Sequence, residues 1–155
     1  FIEFQLIKTH KKINKLVNKI KNKESTARVL RNRAIICLYF GFDGLGTKSM
    51  DLVGSQHGIS KEMVRQIINK FKRNLSSLDH LDTSSIENAI SVIVEDGCNS
   101  EANMLLNLNR NGCVSGEYLL DGILEASILL ECHPVDIRLK HIHYTRFVFA
   151  LGKEQ

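Results

Sequence analysis

The residues of this chain that could do chemistry follow Gly58 in one stretch rich in cationic and amide side chains. At spacings of three and four residues, such side chains would share one face of a helix. Their donors and acceptors are the types that contact phosphate oxygens and base edges in nucleic acids. The candidate DNA-binding residues are Ser60, Lys61, Glu62, Arg65, Gln66, Asn69, Lys70 and Arg73. We therefore expect an exposed helix here that binds double-stranded DNA.

Two helices joined by a tight turn are needed to position this face. The pattern predicts a short helix over Met50–His57 and a second helix that is capped by Ser60 and runs to about Leu75. Gly54 supplies a small residue where two steeply crossing backbones approach, and Gly58 tolerates a positive φ in the turn. The apolar residues expected to face inward are Val53, Ile59, Val64 and Ile67.

The two predicted helices and their turn form a helix-turn-helix motif, and the surrounding sequence resembles a more specific domain. The segments Arg33–Gly44, Ser49–Gly54 and Val64–Ile67 together resemble the region-four domain of bacterial sigma factors, over about Arg31–Leu75. In that family, one helix ends in an aromatic-Gly-Leu-Asp-Gly loop, and a second ends near a small glycine. The third, the recognition helix, carries a Val-Arg-Gln-Ile core.

The resemblance implies roles for individual residues. By resemblance, Lys61, Glu62 and Gln66 would read bases, and Arg65 and Lys70 would contact phosphates. Lys61 stands where the family usually has arginine. An ammonium lacks the planar fork with which a guanidinium binds guanine, so a different sequence preference is expected.

Nothing in the chain resembles the sigma region that melts promoters and binds the polymerase clamp. A transcription regulator that uses the same DNA-binding fold is therefore expected rather than a complete sigma factor. Contact with RNA polymerase is implied by the resemblance alone. The alternative is a protein-interaction or oligomerisation module that does not read bases.

Charge divides the chain into two parts. Residues 1–78 contain 16 Lys and Arg against 5 Asp and Glu, whereas residues 79–155 contain 5 against 12. We predict a basic helical DNA-binding domain over 1–78, suited to a polyanion, and an acidic helical domain over 79–155.

The acidic part shows helix starts and one pair of strands. Helices are predicted from Ser84 or Ser85 to about Glu95, from Ser100 to about Arg110, and from Ser115 to about Glu131. After Pro134, β-prone residues alternate with polar ones and predict a hairpin. The expected fold is mainly α: a helix-turn-helix domain followed by a small helical domain that ends in a β-hairpin, like a winged helix.

Two segments within residues 1–78 allow more than one interpretation. Ile2–Lys23 has helical, nearly heptad apolar spacing, so it could pack on its own domain or form a homodimer. The glycine-rich segment Gly41–Gly46 is interpreted as a turn, because it lacks the ending of a phosphate-binding P-loop.

Catalytic and metal chemistry has little support in the sequence. The cysteines form no CxxC pair and are interpreted as free thiols of a cytoplasmic protein. A zinc site of Cys98, Cys113, Cys132 and His133, and an enzyme site around His141 and His143, are the alternatives. No catalytic motif, cofactor motif or apolar run of membrane-spanning length is present, so no signal peptide, cofactor, metal or membrane is expected.

Overall fold

The computed structural model describes residues 26–78, 81–115, 118–132 and 136–151. Within these ranges the fold is mainly helical, with six helices and one small antiparallel sheet near the C-terminus. The predicted mainly α class with a terminal β-hairpin is confirmed at this level. The predicted helix Ile2–Lys23 lies outside the described residues. In the described part of the chain, no helix is both long and apolar enough to cross a bilayer.

The first three helices are α1 (Thr26–Phe40), α2 (Met50–His57) and α3 (Lys61–Ser76). The bounds of α2 and α3 agree with the predicted ones to within one residue. Serine caps explain this accuracy: the Oγ atoms of Ser49 and Ser60 each accept a hydrogen bond of 3.2 Å from the backbone N–H three residues later. Such a cap satisfies an N–H that has no partner within the helix.

These helices enclose the first of two cores. On α3 the buried positions fall on one helical face: Val64, Ile68, Phe71 and Leu75. Phe40 lies beneath them, with its ring centroid 5.8 Å from that of Phe71. The inward residues predicted from sequence divide into two groups, since Val53 and Val64 are fully buried whereas Ile59 and Ile67 are only half-buried.

The second core belongs to the acidic part of the chain. Its elements are α4 (Ser84–Asp96), β1 (Cys98–Ser100), α5 (Glu101–Arg110), α6 (Asp121–Leu129), β2 (Asp136–Ile142) and β3 (Thr145–Leu151). The strands are antiparallel in the order β1-β3-β2. The register pairs Cys98 with Phe149 and Arg138 with Phe149 on opposite sides of β3. Strand β1 was not predicted, because three residues are too few to show an alternating pattern.

The predicted helix start at Ser115 is wrong, since α6 begins only at Asp121. Long-range bonds hold the preceding backbone out of the helix. The N–H of Leu119 donates to the carbonyl of Gly44 at 2.9 Å, and the N–H of Leu120 donates to the Glu101 carboxylate at 3.1 Å. Neither partner is close in sequence, so the local helical pattern could not reveal them.

The glycine-rich segment after α1 forms a turn, as predicted, and packs against the start of α6. Its positive φ angles at Gly41, Gly44 and Gly46 let the backbone fold tightly. The hydroxyl of Tyr118 donates to the carbonyl of Phe42 at 3.4 Å. Phe42 packs against both cores, so the turn joins the two parts of the molecule.

A mostly buried charge cluster fixes the second core. The Arg146 guanidinium on β3 donates to the carboxylates of Glu101 and Asp121, which begin α5 and α6. These hydrogen bonds raise the pKa of Arg146 further above its usual value. A buried charge is tolerated when it is paired and hydrogen-bonded in this way.

Candidate nucleic-acid interface

The turn between α2 and α3 depends on two glycines for different reasons. A Cβ at Gly54 would lie 2.7 Å from the carbonyl oxygen of Ile59, closer than real contacts allow. Gly58 instead has a left-handed φ of 64°, with nothing within 4 Å of a Cβ built on it. The sequence predicted both requirements, and the geometry agrees: one glycine provides space and the other provides the backbone conformation.

Helix α3 presents a polar face opposite its buried one. All eight predicted DNA-binding residues have exposed side chains: Ser60, Lys61, Glu62, Arg65, Gln66, Asn69, Lys70 and Arg73. The side chains of Lys61 and Arg65 retain 64% and 54% of their accessible surface. This face is therefore within reach of a large ligand without any change in the fold.

Lys61, at the first position of α3, is held by the preceding helix. Its Nζ atom lies 2.8 Å from the Oδ2 atom of Asp51 on α2. Both side chains are exposed, so the pair is of the kind that contributes little to stability. The pair does, however, bring the Lys61 ammonium towards α2 and partly neutralise it.

Glu62 organises the next turn of the face. Its carboxylate accepts hydrogen bonds from Arg65 Nε at 2.8 Å, from Arg65 Nη2 at 2.6 Å and from Gln66 Nε2 at 3.2 Å. The Arg65 and Gln66 hydrogen bonds lower the pKa of Glu62 from 4.5 to about 2. Arg65 and Gln66, two of the predicted DNA contacts, therefore donate to a carboxylate of their own helix.

Beyond Lys61 and Arg65, the other cationic side chains of α3 lie in its C-terminal half. An open concavity is lined by Gln66, Asn69, Lys70, Lys72 and Arg73. Sequence reasoning missed Lys72, whose Nζ atom lies 5.7 Å from the centroid of the Phe40 ring. Its position two residues after Lys70 suggested a different side of the helix. The concavity can accept an anionic group, because amide and cationic donors line it.

The expected zinc ligands and the pair of histidines are not brought together as the alternatives require within the described ranges. No group of three His, Cys, Asp or Glu side chains there is placed to hold a metal ion. His143 was expected to share a strand face with His141, but it lies in the turn after β2 with a φ of 54°. Burial raises the pKa of the Cys37 thiol to about 11, which leaves it uncharged and poorly nucleophilic. His133 lies outside the described residues.

Comparison with known proteins found no matching family model, no curated relative and no similar solved structure. The resemblance to sigma region four therefore stays a prediction that rests on the motifs between Arg31 and Leu75.

Proposed function

We propose that this chain binds double-stranded DNA in a sequence-specific manner and regulates transcription, with α3 lying in the major groove. The observation that carries this proposal is the continuous exposed face of α3. Cationic and amide side chains occupy that face, while the opposite face is buried in the first core. A helix of this kind fits the width of the major groove of B-DNA.

The chemistry of the face divides into base reading and phosphate binding. Amides such as Gln66 and Asn69 can make paired hydrogen bonds to adenine, and a glutamate can accept from cytosine N4. Lys70 and Arg73, one turn further along α3, suit phosphate oxygens, which set affinity rather than sequence. The surrounding excess of cations in residues 1–78 favours association with a polyanion.

The second part of the chain supports α3 in this proposal rather than reading DNA itself. Its order of helix, strand, two helices and two strands, with the strand order β1-β3-β2, supports the proposed winged-helix arrangement of this part. Residues 79–155 contain 5 Lys and Arg against 12 Asp and Glu, which disfavours a phosphate-binding surface. Here α6 has only nine residues, and five of them are buried: Gly122, Ile123, Leu124, Ala126 and Ser127. We therefore assign the reading role to α3.

The partners follow from the same argument. Double-stranded DNA is the primary ligand, and RNA polymerase is a proposed second partner because region four of sigma factors contacts it. A homodimer would place two copies of α3 on two half-sites.

The proposal is tested by selecting binding sites from random duplexes and then titrating the selected duplex and a scrambled one at two salt concentrations. Gln66→Ala should lose about 1–3 kcal/mol of binding free energy on the selected duplex, with relaxed specificity. Lys70→Ala should weaken binding to both duplexes and reduce the salt slope by about 1.

Lys140→Ala is the matched control, because Lys140 is an exposed lysine on β2, in the part of the chain not proposed to read DNA. It should leave both affinities close to wild type. Equal losses for Gln66→Ala and Lys70→Ala on both duplexes would contradict base reading by α3.

Protein interaction is the second candidate function, and two exposed leucines favour it. Leu45 is 73% exposed and Leu119 is 36% exposed, and the backbone N–H of Leu119 donates to the carbonyl of Gly44, the residue before Leu45. Exposed apolar surface is typical of partner sites when it forms a contiguous patch. If the protein did not bind duplex DNA even at low ionic strength, this candidate would be favoured.

A further inference from the structure

Glu62 is surrounded by the donors that the proposed function assigns to DNA. Three hydrogen bonds join its carboxylate to Arg65 and Gln66, and all three side chains are exposed. The pair is exposed, so it contributes little to stability, but a DNA phosphate that recruits Arg65 must still displace a bidentate carboxylate.

We propose that Glu62 is a specificity-determining residue that weakens binding to random DNA by holding Arg65 and Gln66 in the unbound chain. This inference rests on the proposed function. It adds a penalty against wrong sequences to the attractive contacts already described, and discrimination of partners commonly uses both.

The penalty arises from what happens to the carboxylate when DNA arrives. If Arg65 and Gln66 turn towards the duplex, Glu62 loses its donors while facing a polyanion. A carboxylate without donors at an interface is unfavourable because its desolvation is no longer compensated.

A cognate sequence can remove this penalty. Cytosine offers its N4 amino group to a glutamate in the major groove, which replaces the lost donors. Random DNA offers such a group only by chance at that position. The release of Arg65 and Gln66 is therefore offset on the cognate site and remains unfavourable elsewhere.

The experiment measures dissociation constants of the full chain for its selected duplex and for a scrambled duplex, in wild type and Glu62→Ala. Removing the carboxylate should tighten binding to the scrambled duplex. The ratio of the two dissociation constants should fall at least about fivefold, the lower end of what one base-specific contact provides.

Two further variants separate this effect from a change in net charge or in folding. Glu95→Ala removes an equal charge from an exposed site on α4 and should leave the ratio unchanged. Glu62→Ala made in an Arg65→Ala chain should tighten scrambled-duplex binding much less, because no arginine is then released. A circular-dichroism melt checks that each variant is folded.

The outcomes distinguish this inference from the proposed function. A wild-type chain that selects no sequence overturns both. If the wild-type chain does select a sequence but Glu62→Ala leaves the ratio of the two dissociation constants unchanged, the role of Glu62 alone is overturned.

Discussion

Gly122, near the start of α6, lies so close to the carbonyl oxygen of Gly41 that no Cβ fits between them. The Tyr118 hydroxyl closes the same space, since it would lie 2.7 Å from a Cβ at position 122. The two cores are thus joined through a backbone contact that only glycine permits at this point. This contact joins the turn after α1 to the start of α6.

Gly122→Ala should therefore weaken the docking of the two cores. The added methyl group must displace backbone atoms, and such overpacking typically costs about 1–3 kcal/mol. Limited proteolysis of the segment between α3 and α4, together with thermal unfolding, would detect the change. Ser91→Ala is the control, because Ser91 is exposed on α4 and alanine is well tolerated within a helix. Equal proteolysis of the two variants would argue against this docking contact.

The turn glycines should respond differently to the same substitutions. Gly58→Ala should lose about 1–2 kcal/mol from left-handed strain, and Gly58→Asn less, because asparagine tolerates that conformation. At Gly54 the problem is contact with the Ile59 carbonyl, so asparagine should be no better than alanine. Urea unfolding of the four variants gives the comparison. Rescue of position 54 by asparagine would show that conformation, rather than space, requires glycine there.

Arg146→Ala should destabilise the second core strongly. Removing the guanidinium leaves Glu101, which is 8% exposed, as a buried charge without its main partner. Breaking buried ion pairs in this way costs about 3–5 kcal/mol. Equilibrium unfolding at pH 7 measures the loss, and Arg138→Ala, which breaks an exposed pair with Asp136, should have little effect. Similar small losses for both variants would contradict the structural importance of the cluster.

Glu62 should titrate with a midpoint near 2 rather than 4.5. Because the folded pKa is depressed, the stabilisation that this pairing provides is present above the unfolded pKa. It is lost as the pH falls through the folded value. Carboxyl ¹³C chemical shifts followed from pH 6 downwards would locate the midpoint. In an Arg65→Ala chain the pKa should return towards 4.5, and a midpoint unchanged by that substitution would exclude Arg65 as the cause.

Local signals allowed much of the fold around α3 to be predicted. Serine caps and glycine stops act within four residues, so the bounds of α2 and α3 followed from the sequence. The same is true of the polar face, because helical spacing alone determines which residues lie opposite Val64 and Phe71.

What the sequence did not reveal depends on distant partners or on side-chain rotamers. The late start of α6 follows from bonds made by Gly44 and Glu101 to the backbone ahead of it. The three bonds of Glu62 join residues at helical spacing, but spacing does not determine that one carboxylate accepts all three. The pairing of Lys61 with Asp51 depends likewise on how α2 and α3 meet.

Strand β3 lies in the middle of the sheet, so both outer strands depend on it for their hydrogen bonds. Strands β1 and β2 do not pair with each other, and each finds its hydrogen bonds only on Thr145–Leu151. A chain stopped after Ile142 would leave both without a partner, although their own residues were intact. Neither outer strand can therefore pair before β3 is made, and damage to β3 would also leave Cys98–Ser100, which lies much earlier in the chain, without its strand partner.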